Sequence, residues 1–303
     1  MSPSSPRLSV LVPVWNGQRF LRQALESAVR EIAPGDEILV SNDASVDGSR
    51  GILEEFEDRV TVLDQPSRLG LTRNHNLLLR AAAGEYVTFL HQDDEVTEGS
   101  FRARRATLAA HPALGLVSGD SLFVGPDGVA LGPPQTPSLP RPSEIGSDSP
   151  EANDELRCRA LAEAVQRNPF QVGSVMLRRS HTDQVGEFWE PLHLAVDYDY
   201  WLRSLLYAPL AHLPTPVLRF RVHKGQDSQQ YREYPNLAQW EIYRAMAHAR
   251  DESRRMETPI PPWIRAKWDS IAMVRRAASR LPPSWIRAAP APIARTWGDL
   301  FGM

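Results

Sequence analysis

Leu8-Ser-Val-Leu-Val-Pro-Val14 is a nearly all-apolar run rich in β-branched residues. Such a run suits a strand buried on both faces, as in a parallel sheet. Asn16-Gly17 breaks it, and Phe20, Leu21, Ala24, Leu25 and Ala28 then recur at helical spacing. Working outward, Asp36 to Ser41 reads as a second strand and Asn42 to Ser49 as a polar, Gly-containing loop. Ile52 to Phe56 begins a helix, and Val60 to Leu63 is a short third strand. Leu71 to Ala83 predicts a helix with Gly84 as its C-cap. Tyr86 to Leu90 predicts a fourth strand that runs straight into His91-Gln92-Asp93-Asp94. Strands and helices alternating at this rhythm predict an α/β fold with a doubly wound sheet. Ligands of such sheets sit at the carboxyl ends of the strands, where Asn16, Asp43, Asp93 and Asp94 fall.

The second half is less regular. Gly125 to Asp154 is rich in Pro, Ser and Gly and predicts a long, mobile surface loop. Regular structure is expected to resume near Leu156, with a strand at Val172 to Leu177, a helix at Tyr198 to Leu206 and a final strand at Val217 to Val222. After Tyr231 the chain is helical and Trp/Arg-rich, interrupted by Pro259, Pro261-Pro262, Pro282-Pro283, Pro290 and Pro292. The expected organisation is a domain over 1–230 and a helical extension over 231–303. Within the domain, halves at about 8–124 and 155–230 flank the loop at about 125–154.

Composition narrows the class. The 303 residues are 42% hydrophobic and 23% charged, and the net charge of -3 gives no general pull toward nucleic acid. The lone Cys158 excludes an internal disulfide and a Cys-based zinc site. No stretch approaches the roughly 18 apolar residues needed to cross a membrane. Met1 to Arg7 is polar, and Leu8 to Trp15 contains Pro13 and is too short for a secretory core. The expectation is a cytoplasmic protein, with contact at the inner face of the membrane left open.

Several residues carry chemistry. Asp93 and Asp94, directly after a buried strand, are poised to hold Mg2+ or Mn2+, which prefer oxygen ligands and bring substrate phosphates with them. They would equally serve as acids near the start of a following helix. Asp43 can accept from a base or a ribose hydroxyl, or belong to an Asx-type turn in Asn42-Asp43-Ala44-Ser45. Arg73, in the first turn of its helix, could reach a phosphate or be an ordinary exposed charge. Asp197, ahead of an apolar helix, is either its N-cap or a general base for a hydroxyl. His223 could ligate a metal, contact a diphosphate or simply be a surface residue.

Together these stretches resemble glycosyltransferase family 2, the inverting enzymes of the GT-A fold. Ser9 to Gly17 looks like that family's first strand with its Pro-x-aromatic-Asn signature, and Leu39 to Ser49 like its Asp-rich loop. Arg73-Asn74, Ala82-Ala-Gly-Glu-Tyr86 and Leu90-His-Gln-Asp-Asp94 follow in the family's order. Ser174 to Arg179, Val185 to Phe188, Asp197 to Arg203 and Arg221-Val-His223 with Ser228 resemble its acceptor half. The resemblance implies a Rossmann-like, mostly parallel sheet flanked by helices, and a nucleoside-diphosphate sugar donor, a UDP-sugar first. Pro13, Trp15, Asp43 and Arg73 would surround the nucleotide. Asp93 and Asp94 would hold the cation together with the donor's ribose and diphosphate, and His223 would assist there. Asp197 would be the base, with Asp199 next in line, and the acceptor a glycan or lipid-linked glycan. The chain departs from the pattern at His91, Asn42 and Val196, where the family often has acids. The first leaves open which of Asp93 and Asp94 ligates the metal.

Three rivals remain in view: a nucleotide-sugar-binding protein with weak or no turnover, a nucleotidyltransferase and a dinucleotide oxidoreductase. The last two lack support, because no Gly-rich phosphate loop follows the first strand. In the tail, Trp263, Trp268, Trp285 and Trp297 lie among arginines. That mixture suits either an anionic membrane surface or short helices packed on the domain.

Overall fold

The computed structural model describes residues 8–145, 149–226 and 235–278, with side chains over 8–145, 149–226 and 238–271. The first stretch alternates as expected: β1 (Leu8–Val14), α1 (Leu21–Glu31), β2 (Glu37–Asn42), α2 (Ser49–Glu54), β3 (Thr61–Asp64), α3 (Leu71–Ala81) and β4 (Tyr86–Phe89). There follow β5 (Glu95–Val96), α4 (Ser100–Ala110), β6 (Leu116–Val124), α5 (Pro150–Gln166), β7 (Val175–Arg178), α6 (Arg179–Val185), α7 (Val196–Tyr207) and β8 (Leu210–Arg221). Two helices, α8 (Pro235–Arg255) and α9 (Pro262–Ala278), close the described chain.

One sheet takes the strands in the order β3-β2-β1-β4-β7-β6-β8-β5. The first four are mutually parallel. β7 enters antiparallel to both β4 and β6, β8 is parallel to β6, and β5 pairs antiparallel at the end. Every residue of β1 is buried, which is what a strand covered on both faces requires. Val10, Val12 and Val14 meet Leu21, Leu25 and Phe101 of α1 and α4, whereas Leu11 joins Leu78, Trp201 and Trp268 in the other core layer. This is the α/β sandwich expected from the alternation.

Three local expectations are corrected. Gly84 is not a helix cap, because α3 stops at Ala81 and Ala82 is its C-cap. Gly84 is glycine for space: a Cβ there would lie 2.6 Å from the Ser9 nitrogen, where the chain crosses β1. The region expected as loop to residue 154 turns helical at Pro150, where Ser149 caps α5 by accepting from the Ala152 nitrogen at 3.2 Å. Its earlier part is tied to the sheet. Thr136 donates to Asp120 at 2.7 Å, Asp120 meets His212 at 2.7 Å, His212 meets Ser118 at 2.8 Å, and the His212 nitrogen donates to the Pro140 carbonyl at 2.7 Å. The final strand starts at Leu210 rather than Val217. Pro214 and Pro216 hide its first half from a sequence reading, and the ladder accommodates them through register shifts opposite Gly119 and Asp120.

The described part of the extension packs on the domain. Tyr243, Met246, Ile264, Trp268 and Ile271 are buried in the same core as Leu11 and Trp201, while Trp263 is 47% exposed. Trp285, Trp297 and Ser228 lie outside the described residues. Among the described residues no helix is long and apolar enough to cross a membrane.

Candidate active site

A cavity of about 920 Å³ opens at the carboxyl ends of β1, β2 and β4. Its floor is built by side chains that latch loops together. The Gln92 amide accepts from the Trp15 nitrogen at 2.8 Å and donates to the Trp15 carbonyl at 3.0 Å. A Cβ at Gly17 would lie 2.3 Å from Gln92 Oε1, so a larger residue there would push this latch aside. Asn16 adopts a left-handed φ of 50°, which Asn tolerates better than most residues, and its Oδ1 accepts from the Val46 nitrogen at 2.9 Å. Ser45 and Ser49 in turn accept from the nitrogens of Asn16 and Gly17. The β1–α1 and β2–α2 turns thus form one rigid rim.

The nucleotide-side candidates separate. Pro13, Trp15 and Asp43 all line the cavity. The Asp43 carboxylate is buried and accepts from the Leu69 and Gly70 nitrogens at 2.5 and 2.9 Å, which holds the 65–70 loop against the cavity. The Asx-type contact belongs to Asn42, whose Oδ1 accepts from the Ser45 nitrogen. Arg73 points away: it pairs with Glu190 at 2.9 Å on the surface and does not line the cavity. Arg68 and Arg19 are the cavity's arginines on this side, and the Arg68 guanidinium lies 3.4 Å from the centre of the Trp15 ring. Neither arginine stands out in the sequence from its neighbours.

The β4 end carries the acids. Asp93 lines the cavity, and its Oδ2 lies 3.0 Å from His223 Nε2. Burial pushes the Asp93 carboxyl up, but the His223 hydrogen bond and the positive fields of His91 and His223 outweigh it, leaving it below its ordinary value. Asp94 sits behind, 1% exposed, with Oδ1 accepting from the Arg221 nitrogen at 2.9 Å. Burial, then the Asp93 charge, holds Asp94 well above the ordinary carboxylate range. Buried Arg221 braces the pair by donating to the Asp93 carbonyl and to Gln23 at 3.0 Å each, and to Glu95. His91, Asp93 and Asp94 each offer a ligand atom, all within 4.8 Å of one another. One imidazole nitrogen and two carboxylates are a donor set that fits Mn2+ or Mg2+.

His75 prepares His91. A carbonyl only accepts, so His75 Nδ1, 2.8 Å from the Leu71 carbonyl, carries the proton. Its Nε2 is then a lone pair facing His91 Nε2 at 3.2 Å, and His91 donates there, so that whenever the His91 ring is neutral its Nδ1 is the acceptor. Burial first, then the charge on His91, pushes His75 down to about 3, so it stays neutral in this role.

Asp197 lines the same cavity. It lies in the first turn of α7 and does not cap it: the N-cap position is Ala195. Its Oδ1 accepts from the Tyr198 nitrogen at 2.8 Å and its Oδ2 from the Asn168 amide at 3.0 Å. Burial raises its carboxyl against these two hydrogen bonds. Asp199, the fallback, is fully buried between Arg203 at 2.8 Å and His248 at 2.7 Å and does not line the cavity.

Residues 9–133 match the family model described as Glycosyl transferase family 2. The chain is 38% identical over 99 residues to the GalNAc(5)-diNAcBac-PP-undecaprenol beta-1,3-glucosyltransferase of Campylobacter jejuni, covering 31% of this chain and 32% of that one. It is 26% identical over 229 residues to the uncharacterized protein MT1568 of Mycobacterium tuberculosis, covering 71% of this chain and 66% of that one. The chain therefore spans less than two thirds of each relative. Among solved structures, S. aureus TarS 1-349 in complex with UDP-GlcNAc superposes with a TM-score of 0.65 at 19% identity, over 92% of this chain and 77% of that one. The mannosyltransferase PcManGT from Pyrobaculum calidifontis, in complex with GDP-Man and Mn2+, gives 0.56 at 18% identity, over 99% and 85%. These likenesses establish the fold as GT-A.

Proposed function

Because residues 9–133 belong to glycosyl transferase family 2, we propose that the chain transfers a sugar from a nucleoside-diphosphate donor to a hydroxyl of a glycan or lipid-linked glycan, with inversion. One observation carries the reading: Asp197, His91 and Asp93, brought from α7 and from the end of β4, line one cavity of about 920 Å³, large enough for a donor and an acceptor end. The β1–β4 side takes the nucleotide, with Pro13, Trp15, Asp43 and Arg68 around it; Arg73 would need to leave Glu190 to join them. The side built by α7 takes the acceptor.

In this reading Asp197 accepts the proton of the acceptor hydroxyl as its oxygen attacks the anomeric carbon. The bond from that carbon to the diphosphate oxygen breaks, and the electron pair leaves with the nucleotide. The transition state resembles an oxocarbenium ion. Asn168 holds the base, and its raised proton affinity makes it a better acceptor. Arg19 and Arg68 are placed to meet the diphosphate charge. Mn2+ or Mg2+ at His91, Asp93, Asp94 and His223, when bound, would supply Lewis-acid neutralisation of that charge. UDP-sugars come first as donors and GDP-mannose second, on the strength of what TarS and PcManGT hold. A polyprenyl-diphosphate glycan as acceptor draws support from the named Campylobacter relative. The reading puts the enzyme in the cytoplasm at the inner face of the membrane.

The test is release of nucleoside diphosphate from a panel of UDP- and GDP-sugars with Mn2+, comparing wild type with Asp197→Asn. The variant should bind nucleotide normally and turn over at least about 100-fold more slowly, as expected for a lost general base. Equal rates would remove Asp197 from the chemistry. Donor binding without turnover in wild type would leave a binding protein.

A further inference from the structure

The N-cap of α7, Ala195, brings no side-chain acceptor of its own. The preceding turn is held from outside, by Glu241 of α8. The Glu241 carboxylate accepts from the His193 nitrogen at 3.1 and 2.9 Å, from Leu194 at 2.5 Å and from Ala195 at 3.0 Å. Three successive N–H groups converging on one anion make a nest, and an anion at a helix start is favoured by the macrodipole. Glu241 is 1% exposed, so these N–H groups stand in for the water it has lost. The held turn is also cavity wall: His193, Leu194, Val196 and Asp197 all line it, and Ile242 and Met246 of α8 line it beside them. Farther along, Tyr207 donates to Glu252 at 2.5 Å, so α8 follows α7 to its end.

We propose that Glu241 is a positioning residue, which sets the start of α7 and thereby the place of Asp197 in the cavity. The inference rests on Asp197 being the base. It assigns an active-site duty to the C-terminal extension, which lies beyond the 9–133 segment of the family match. A base displaced by about 1 Å loses on the order of 100-fold in rate, so an anchor this close to it controls turnover more than donor affinity.

The test uses the full chain. Glu241→Gln keeps the size and one acceptor oxygen but removes the charge and sets an –NH2 in place of the second oxygen, against the His193 N–H. Backbone amide exchange at 193–198 should rise at least about tenfold, and release of UDP from UDP-GlcNAc, or of GDP from GDP-mannose, should fall about 10- to 100-fold. Affinity for UDP or GDP with Mn2+ should stay within about twofold, because the nucleotide side is untouched. Glu241→Asp, which keeps the charge but withdraws it, substitutes if glutamine does not fold, with the same expectations. Tyr207→Phe is the control: it removes a different α7–α8 tie, the hydrogen bond to Glu252, and should lower the melting temperature without changing turnover. Unchanged exchange at 193–198 overturns the clamp. Unchanged turnover in a chain whose Asp197→Asn variant is inactive overturns the positioning role. If Asp197→Asn keeps its rate, it is the base assignment that fails, and the exchange measurement still decides whether Glu241 holds the turn.

Discussion

Asp93 and Asp94 are neighbours with opposite surroundings. Asp93 faces the cavity beside His223, while Asp94 is buried behind it against Arg221. This difference predicts unequal variants. Asp93→Asn should weaken Mn2+-dependent nucleotide binding by well over tenfold, and Asp94→Asn by less than about tenfold, the lower end of what supporting partners of a metal site contribute. Titrating UDP into each variant, with Mn2+ and with EDTA, reads this directly. Equal losses, or a larger loss for Asp94→Asn, would make Asp94 the direct ligand. At this scale the place of Asp93 at the cavity was legible, because the carboxyl ends of buried parallel strands are where such sheets open to a ligand. Arg68, His75 and Glu241 were not legible. Each acts on a partner far along the chain or made by folding, such as the Trp15 ring, the Leu71 carbonyl with His91, and three N–H groups nearly fifty residues earlier. Arg73 was attractive for its place in a helix's first turn, but Glu190 lies on its side of the surface.

Elements whose burial is simple were the readable ones. β1 and β4 are buried on both faces and show it as apolar runs, and α1 buries Leu21, Ala24, Leu25 and Ala28 at helical spacing. β6 escaped because Ser118, Gly119, Asp120 and Ser121 interrupt it, and their partners His212, Val217 and Thr136 appear only in the fold. α4 hides likewise: its buried face includes Arg104, which burial pushes down to about 9 and which donates to Ser100, Thr88 and the Gly173 carbonyl. The tail is an element-scale question too. Ile264, Trp268 and Ile271 of α9 are spent on the core, so a membrane contact would rest on Trp263 and, beyond 278, on Trp285, Trp297 and the arginines among them. A chain ending at 278 keeps that packing intact. Full chain should co-sediment with anionic liposomes and the shortened chain should not. Equal behaviour of the two ends the membrane proposal.

Taken whole, the molecule stores an acid sensitivity in its interior. His75 and His181 are buried and held down to about 3 and about 4, by burial first and then by His91 and Arg178. Their folded values lie below the unfolded value near 6.5, so the unfolded chain takes up protons first as pH falls. The stability they confer is complete above about pH 6.5 and drains away toward about pH 4. Each should contribute roughly 2 kcal/mol of loss between pH 7 and 5, at about 1.4 kcal/mol per pH unit below 6.5. Urea unfolding at the two pH values should show a smaller drop for His181→Leu than for wild type, and an identical drop would remove His181 from the account. The order of the sheet bears on how the chain is made. β8 lies between β6 and β5 yet is translated about a hundred residues after β6 ends. At roughly 5–20 residues per second, the emerging chain carries β6 without β8 for about 5–20 s, and for the first part of that time without β7 as well. The segment that bears the family signature thus leaves the ribosome as an unfinished sheet, open to pairing with a neighbouring nascent chain, and must be kept apart until its interior strand arrives.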